Sequence, residues 1–327
     1  MLDIIIPLIF IVGYLLIALE HNTHINKAAP ALLTGVALWT VAAFVIPHEA
    51  NKELLHHLGD ISQLLFFLLG AMTIVELVDA HEGFSLVTRF VRSETTKGLI
   101  WTIGFATFFL SAVLDNLTTT IVMISLIRRL VPDNQTRWPL VAIVVIAANA
   151  GGAWSPIGDL TTTMLWLGNQ ITTMGIIKAL ILPSLVCLIV PLLAMSRVVP
   201  NVPVAKSSDA QGKTTLPAWE RNLVFFLGIG ALLFVPVFKT ITHLPPYMGI
   251  LFGVGVLWAT TEWIHRHKPV EEKSHVTVAA VLRRVDVPSV LFFLGILLAV
   301  AALQSLGQLD NLAHVLQETF GNVYMIN

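Results

Sequence analysis

The chain has 327 residues, with 19 Lys and Arg against 20 Asp and Glu and a formal net charge of −1. It is 56% hydrophobic and only 12% charged, about half the charge of a soluble domain. This excludes a water-soluble globular enzyme, and the lack of any basic tract excludes a nucleic-acid-binding protein.

Apolar runs long enough to span a bilayer recur along the chain. In chain order they predict spans over 3–19, 28–46, 61–79, 139–166, 170–195, 222–241, 246–264 and 287–306. The first run starts Met-Leu-Asp3, with no basic region and no small-residue cleavage site, and reads as a retained span rather than a signal peptide. Segment 98–131 is too long for one crossing and too short for two. Asp115-Asn116 lies near its middle, which predicts a re-entrant helix–break–helix hairpin. The single Cys187 sits in an apolar run and is read as a packed core residue, with no disulfide. The fold class is therefore an all-α polytopic membrane protein in a lipid bilayer.

Charge asymmetry orients these spans. Arg89, Arg92 and Lys97 precede the hairpin, and Arg128, Arg129 and Arg137 follow it, so both flanks read as cytoplasmic. Loops 196–221 and 265–286 are also basic, whereas 167–177 and 242–245 hold no Lys or Arg. One alternating topology satisfies all of these, with the N-terminus outside. Residues 1–199 form a first half containing the hairpin 98–131 and a broken helix at 139–166. Residues 200–221 are a cytoplasmic linker, whose stretch 200–217 is a flexible polar connector.

Asp60-Ile-Ser-Gln-Leu-Leu-Phe-Phe-Leu68 matches Asp286-Val-Pro-Ser-Val-Leu-Phe-Phe-Leu294, and amphipathic stretches follow both, at 82–92 and 310–320. The two spans run in opposite directions, the pattern of an inverted-repeat transporter. Residues 222–327 then read as the start of a second inverted repeat. Its ion-binding part is expected to lie in roughly 70–100 further residues, by analogy with the first repeat.

Two intramembrane stretches carry the chemistry: Ser111-Ala-Val-Leu-Asp115-Asn116-Leu-Thr-Thr-Thr120 and Asn149-Ala-Gly151-Gly152-Ala-Trp-Ser155-Pro156-Ile-Gly158-Asp159-Leu-Thr-Thr-Thr163. Each sets a carboxylate, an amide and a row of hydroxyls inside apolar sequence. A carboxylate there is costly and marks a functional site. Gly151, Gly152, Gly158 and Pro156 break the helix and release backbone carbonyls, which membrane interiors tolerate only inside protein or beside a watery cavity. Such broken helices build ion sites in secondary transporters.

At these residues, and at Gly70-Ala-Met-Thr-Ile-Val-Glu76-Leu-Val-Asp79-Ala-His81-Glu82-Gly-Phe84, the chain resembles the NhaD-type sodium/proton antiporters. These belong to an ion-transporter superfamily that includes dicarboxylate and arsenite carriers. The resemblance runs along most of the chain. It implies that Asp115 and Asn116 form a hairpin tip, that Ser155 to Asp159 lie in an unwound break, and that a second repeat supplies a second half-site. It also implies a homodimer in the bacterial inner membrane. Dicarboxylate-carrying relatives usually show Ser-Asn-Thr at the tip; here the tip reads Leu114-Asp115-Asn116. An acid at the tip suits a cation and repels a dicarboxylate.

Sodium, or lithium, is a hard cation that takes oxygen ligands. The candidates are the carboxylates of Asp115 and Asp159, the amide oxygens of Asn116 and Asn149, and the hydroxyls of Ser111, Thr119, Ser155 and Thr161. The break at Gly158 adds backbone carbonyls. Protons and sodium compete for the same carboxylate oxygens, which is the minimal chemistry of antiport. Asp115 and Asp159 can also be helix caps, and the amides can serve freed backbone. Glu76, deep in its span near Thr73, is a proton-transfer candidate or half of a buried ion pair. Asp79, His81 and Glu82 read as a solvated flank. His21, His24, His56 and His57 lie in interfacial loops without a Cys or Glu at ligand spacing, which argues against zinc. No cofactor and no enzymatic activity are expected. The alternatives are an anion or metalloid carrier of the same superfamily and, remotely, an intramembrane aspartyl hydrolase using Asp115 and Asp159.

Overall fold

The computed structural model describes residues 2–86, 93, 95–131, 134–168, 170–201, 216–266 and 276–320. The described residues form fourteen helices, and seven of these are long and apolar enough to cross a membrane. The chain is an all-α polytopic membrane protein. It divides into two compact units, Met1–Leu69 with Asp286–Asn327, and Gly70–Val285.

The first unit holds α1 (Leu2–Ala18), α2 (Glu20–Thr23), α3 (Ala28–Val45), the N-terminal part of α4 (Ala50–Ala80), α13 (Val287–Ser305) and α14 (Gln308–Phe320). α3 and α13 meet along small residues. A Cβ on Gly295 would sit 2.5 Å from the Ala31 carbonyl carbon, and one on Gly35 would sit 2.8 Å from the Gly295 oxygen. Helices without a hydrophobic drive between them pack this way, backbone close to backbone. Trp39 Nε1 spans the same seam, donating to the Leu298 carbonyl at 2.9 Å. Asp286 caps α13, accepting from the Ser289 amide at 3.2 Å and from its hydroxyl.

α4 starts at Ala50, well before the apolar run beginning at 61. Its first turns are polar helix, with Glu53 and His57 facing one another at 3.9 Å, and polar helix leaves no mark on a hydropathy reading. Asp60 therefore lies within a helix, whereas its sequence counterpart Asp286 opens one.

The second unit holds the end of α4, α5 (Thr96–Ser111), α6 (Asn116–Leu130), α7 (Asn134–Ala153), α8 (Leu160–Leu167), α9 (Thr173–Val198), α10 (Ala218–Thr242), α11 (Pro246–His265) and α12 (Val278–Leu282). Thr95 and Thr172 start α5 and α9, their hydroxyls accepting from Gly98 and Gly175 amides at 3.3 and 3.1 Å. α5, α6, α7 and α9 enclose one core that includes Ile103, Phe108, Met123, Ile127, Ile143 and Leu188. The 98–131 segment is two half-length helices of 16 and 15 residues, about 24 and 22 Å long. Between them 112–115 leave the helix. The broken helix is α7 followed by α8, with the break at 154–159.

Cys187 is exposed rather than packed in the core. The buried face of α9 runs through Ile176, Ser184, Leu188 and Leu192, and a helix apolar on all sides does not reveal in its sequence which side is inside. Arg89, Arg92 and residues 202–215 of the connector lie outside the described residues.

Candidate functional site

The two sequence motifs come together in the second unit. Gly158 lies directly against the end of α5: a Cβ there would be 2.4 Å from the Ser111 carbonyl oxygen and 3.0 Å from the Ala112 Cα. Gly151 is similarly close, with the Phe108 oxygen 2.1 Å from where its Cβ would be. Ser111 Oγ, fully buried, donates to the Ala148 carbonyl of α7 at 2.6 Å. The end of α5 is thus held against α7 and the break that follows it by close backbone approach and this hydrogen bond.

The approach joins three side chains. Asn116 Nδ2 donates to Asn149 Oδ1 and to Asp159 Oδ1, both at 3.0 Å. Asn149 Nδ2 is turned away to the Val145 carbonyl at 2.8 Å, so its oxygen faces Asn116. Asp159 caps α8 with Oδ2, which accepts from the Thr161 amide at 3.0 Å. Its other oxygen is the one directed to Asn116. Asn149 and Thr161 are exposed, while Asn116 and Asp159 are half-buried.

Asp115 is arranged differently. It caps α6, its Oδ1 accepting from the Thr118 amide at 2.8 Å and its Oδ2 from the Thr118 hydroxyl at 2.5 Å. Among the described residues no hydrogen bond joins its carboxylate to the Asn116–Asn149–Asp159 cluster. Ser155 is buried, its hydroxyl accepting from the Ile157 amide at 3.4 Å inside the break. Thr119 is fully buried, and its Oγ1 has no hydrogen-bond partner among the described residues. Glu76 is half-buried on α4, and no hydrogen bond among the described residues links it to the cluster.

One contributor is invisible to a motif reading. Lys239, near the end of α10, donates from Nζ to the Trp166 carbonyl at 2.8 Å and lies 4.5 Å over the Trp166 ring. The short helix α8 therefore carries a carboxylate at its N-terminus and an ammonium at its C-terminus, both favourable to its dipole. The available signal was a lone Lys inside an apolar span.

This architecture, a half-length hairpin meeting a broken helix through polar side chains in an otherwise apolar bundle, is that of a secondary transporter. A family model described as a citrate transporter (CitMHS) matches residues 14–326. The chain is 49% identical to "Sodium/proton antiporter 2" of Arabidopsis thaliana, over 98% of this chain and 76% of that protein. It is 48% identical to "Sodium/proton antiporter 1" of the same plant, over 99% of this chain but only 56% of that longer protein. To "Na(+)/H(+) antiporter NhaD" of Vibrio cholerae it is 29% identical, over 97% and 72%. The chain belongs to the CitMHS transporter family, in its NhaD-type antiporter branch.

Proposed function

We propose that this protein exchanges sodium or lithium for protons across a membrane. The observation that carries the reading is the Asn116 amide held at 3.0 Å from both Asn149 Oδ1 and Asp159 Oδ1, where the hairpin tip meets the helix break. A carboxylate beside amide and hydroxyl oxygens suits a hard monovalent cation. The names of the relatives favour the same cargo. Asp159 is the primary site carboxylate. Asn149, Thr161, Ser155, Thr119 and Ser111 are the neighbouring oxygen donors, with Gly158 the point of close approach. Asp115 sets the charge at the tip while holding α6, and Glu76 relays protons. The protein works in a bacterial inner membrane, as a homodimer with its N-terminus outside; residues 1–199 are its first half and 222–327 the start of the second inverted repeat. The basic flanks of the hairpin support the orientation, and its two half-length helices support a hairpin within the first half.

Sodium-driven proton movement in proteoliposomes tests the function. Sodium or lithium is expected to collapse an imposed pH gradient, and Asp115→Asn is expected to abolish most of this. Asn caps a helix about as well as Asp, so that variant removes charge while keeping the α6 start. The rival reading, an anion carrier, draws on the family description. It predicts instead that citrate or a dicarboxylate is taken up while sodium leaves the pH gradient intact.

Thr119 gives a finer test. Thr119→Val is nearly isosteric and removes a buried hydroxyl with no partner among the described residues, so the thermal unfolding midpoint should hold or rise slightly. The sodium concentration for half-maximal rate should rise several-fold. An unaltered sodium dependence takes Thr119 out of the site.

A further inference from the structure

Away from the hairpin and the break, the second unit buries a group that the transport site does not use. His81 follows α4, Glu220 lies in the first turn of α10, and His265 is the last residue of α11. All three are nearly sealed from solvent, at 0%, 0% and 3% exposure. From its sequence position His81 reads as solvated flank. The turn that follows α4 instead packs on α10, with Phe84 and Phe225 edge-on at 6.3 Å, and His81 is buried there.

We propose that His81, Glu220 and His265 form a binding site for a divalent transition-metal ion, with zinc as the best-suited ion. One ligand atom from each lies within 4.8 Å of the others. The two imidazole ring centroids are 5.3 Å apart. Two imidazoles on one tetrahedral zinc, at Zn–N distances of about 2.0–2.1 Å, have ring centres about 5 Å apart.

The surroundings match a metal site in a second respect. His81 Nδ1 donates to the Leu77 carbonyl at 2.7 Å. Ligating histidines commonly use their other ring nitrogen in this way, which sets the tautomer and leaves Nε2 with the lone pair. His265 Nε2 and Glu220 Oε1 are 2.5 Å apart. Imidazole and carboxylate bind a metal in their deprotonated forms, so metal binding strengthens as pH rises. Two imidazoles and one carboxylate leave a fourth tetrahedral position for water. The ion would tie together the ends of α4, α10 and α11.

The test uses the full chain in detergent, without a histidine tag, stripped of metal and titrated with Co²⁺. The expected result is one Co²⁺ per chain, with the visible absorption of a tetrahedral site, displaced by Zn²⁺. Saturating Zn²⁺ should also raise the unfolding midpoint by about 2 °C or more. His81→Gln and His265→Ala should each lose the Co²⁺ spectrum and the midpoint shift. No stoichiometric Co²⁺ in the unaltered chain overturns the proposal without recourse to a variant. Binding that persists in His81→Gln also overturns it, since the metal then sits on other histidines. If His265→Ala does not fold, His81→Gln and the unaltered chain decide.

Discussion

Asp159→Asn is expected to reduce sodium-driven proton movement in proteoliposomes to the level of empty vesicles, while the protein still inserts and purifies. Both carboxylate oxygens are engaged, Oδ2 with the Thr161 amide and Oδ1 with the Asn116 amide group. Asn is as good an N-cap as Asp, so its oxygen can keep the Thr161 contact. Its NH₂ group then faces the NH₂ group of Asn116, and one hydrogen bond of about 1 kcal/mol is lost. That structural cost is small beside the loss of the cluster's one negative charge, which the proposed site uses to hold sodium or a proton. The variant thus separates electrostatics from folding. Normal transport by Asp159→Asn with normal thermal stability would remove Asp159 from the ion site.

Gly158→Ala is expected to fail for the opposite reason, with chemistry retained and assembly lost. The added Cβ would lie 2.4 Å from the Ser111 oxygen, 2.9 Å from the Gly152 Cα and 3.0 Å from the Ala112 Cα. All three are backbone atoms, so no side-chain rotation relieves the overlap. Overpacking in a tight interior costs about 1–3 kcal/mol, and here it pushes the break away from the hairpin end. The unfolding midpoint should fall by several degrees and transport should drop at least tenfold. Gly230→Ala is the control: a Cβ at Gly230 meets nothing within 4 Å. Inside α10 it should be neutral or add up to about 1 kcal/mol through helix propensity. A Gly158→Ala protein as stable and active as Gly230→Ala would show that the close approach is dispensable.

Much of this was legible in the chain because it depends on neighbours in sequence. The hairpin reading of 98–131 became α5 and α6, with the irregular turn at Asp115. The row of Gly and Pro from 151 to 158 became the break before α8. Caps could be anticipated at Asp115 and Asp159 from residue type alone, and both are caps. Less legible was everything that depends on which helices approach. Asp115 and Asp159 look equivalent in sequence, yet Asn116 reaches Asp159, while both oxygens of Asp115 accept from Thr118. His81 is in a polar run and is nonetheless buried. Lys239 serves α8 across 73 residues of chain.

From residue order alone it follows that this is a helical membrane protein, and that its helices break near Asp115 and between Gly151 and Asp159. Hydropathy, helix breaking and capping are local, and act over a few residues along the chain. The tertiary structure alone decided that α3 pairs with α13 through Gly35 and Gly295 and that Gly151 and Gly158 admit α5 backbone. It also decided that Asn116, Asn149 and Asp159 meet while His81, Glu220 and His265 gather elsewhere. In a bundle whose helices are apolar on most sides, hydrophobicity does not choose partners. Close contact at small residues and the satisfaction of polar groups do, and both become visible only once the helices are side by side.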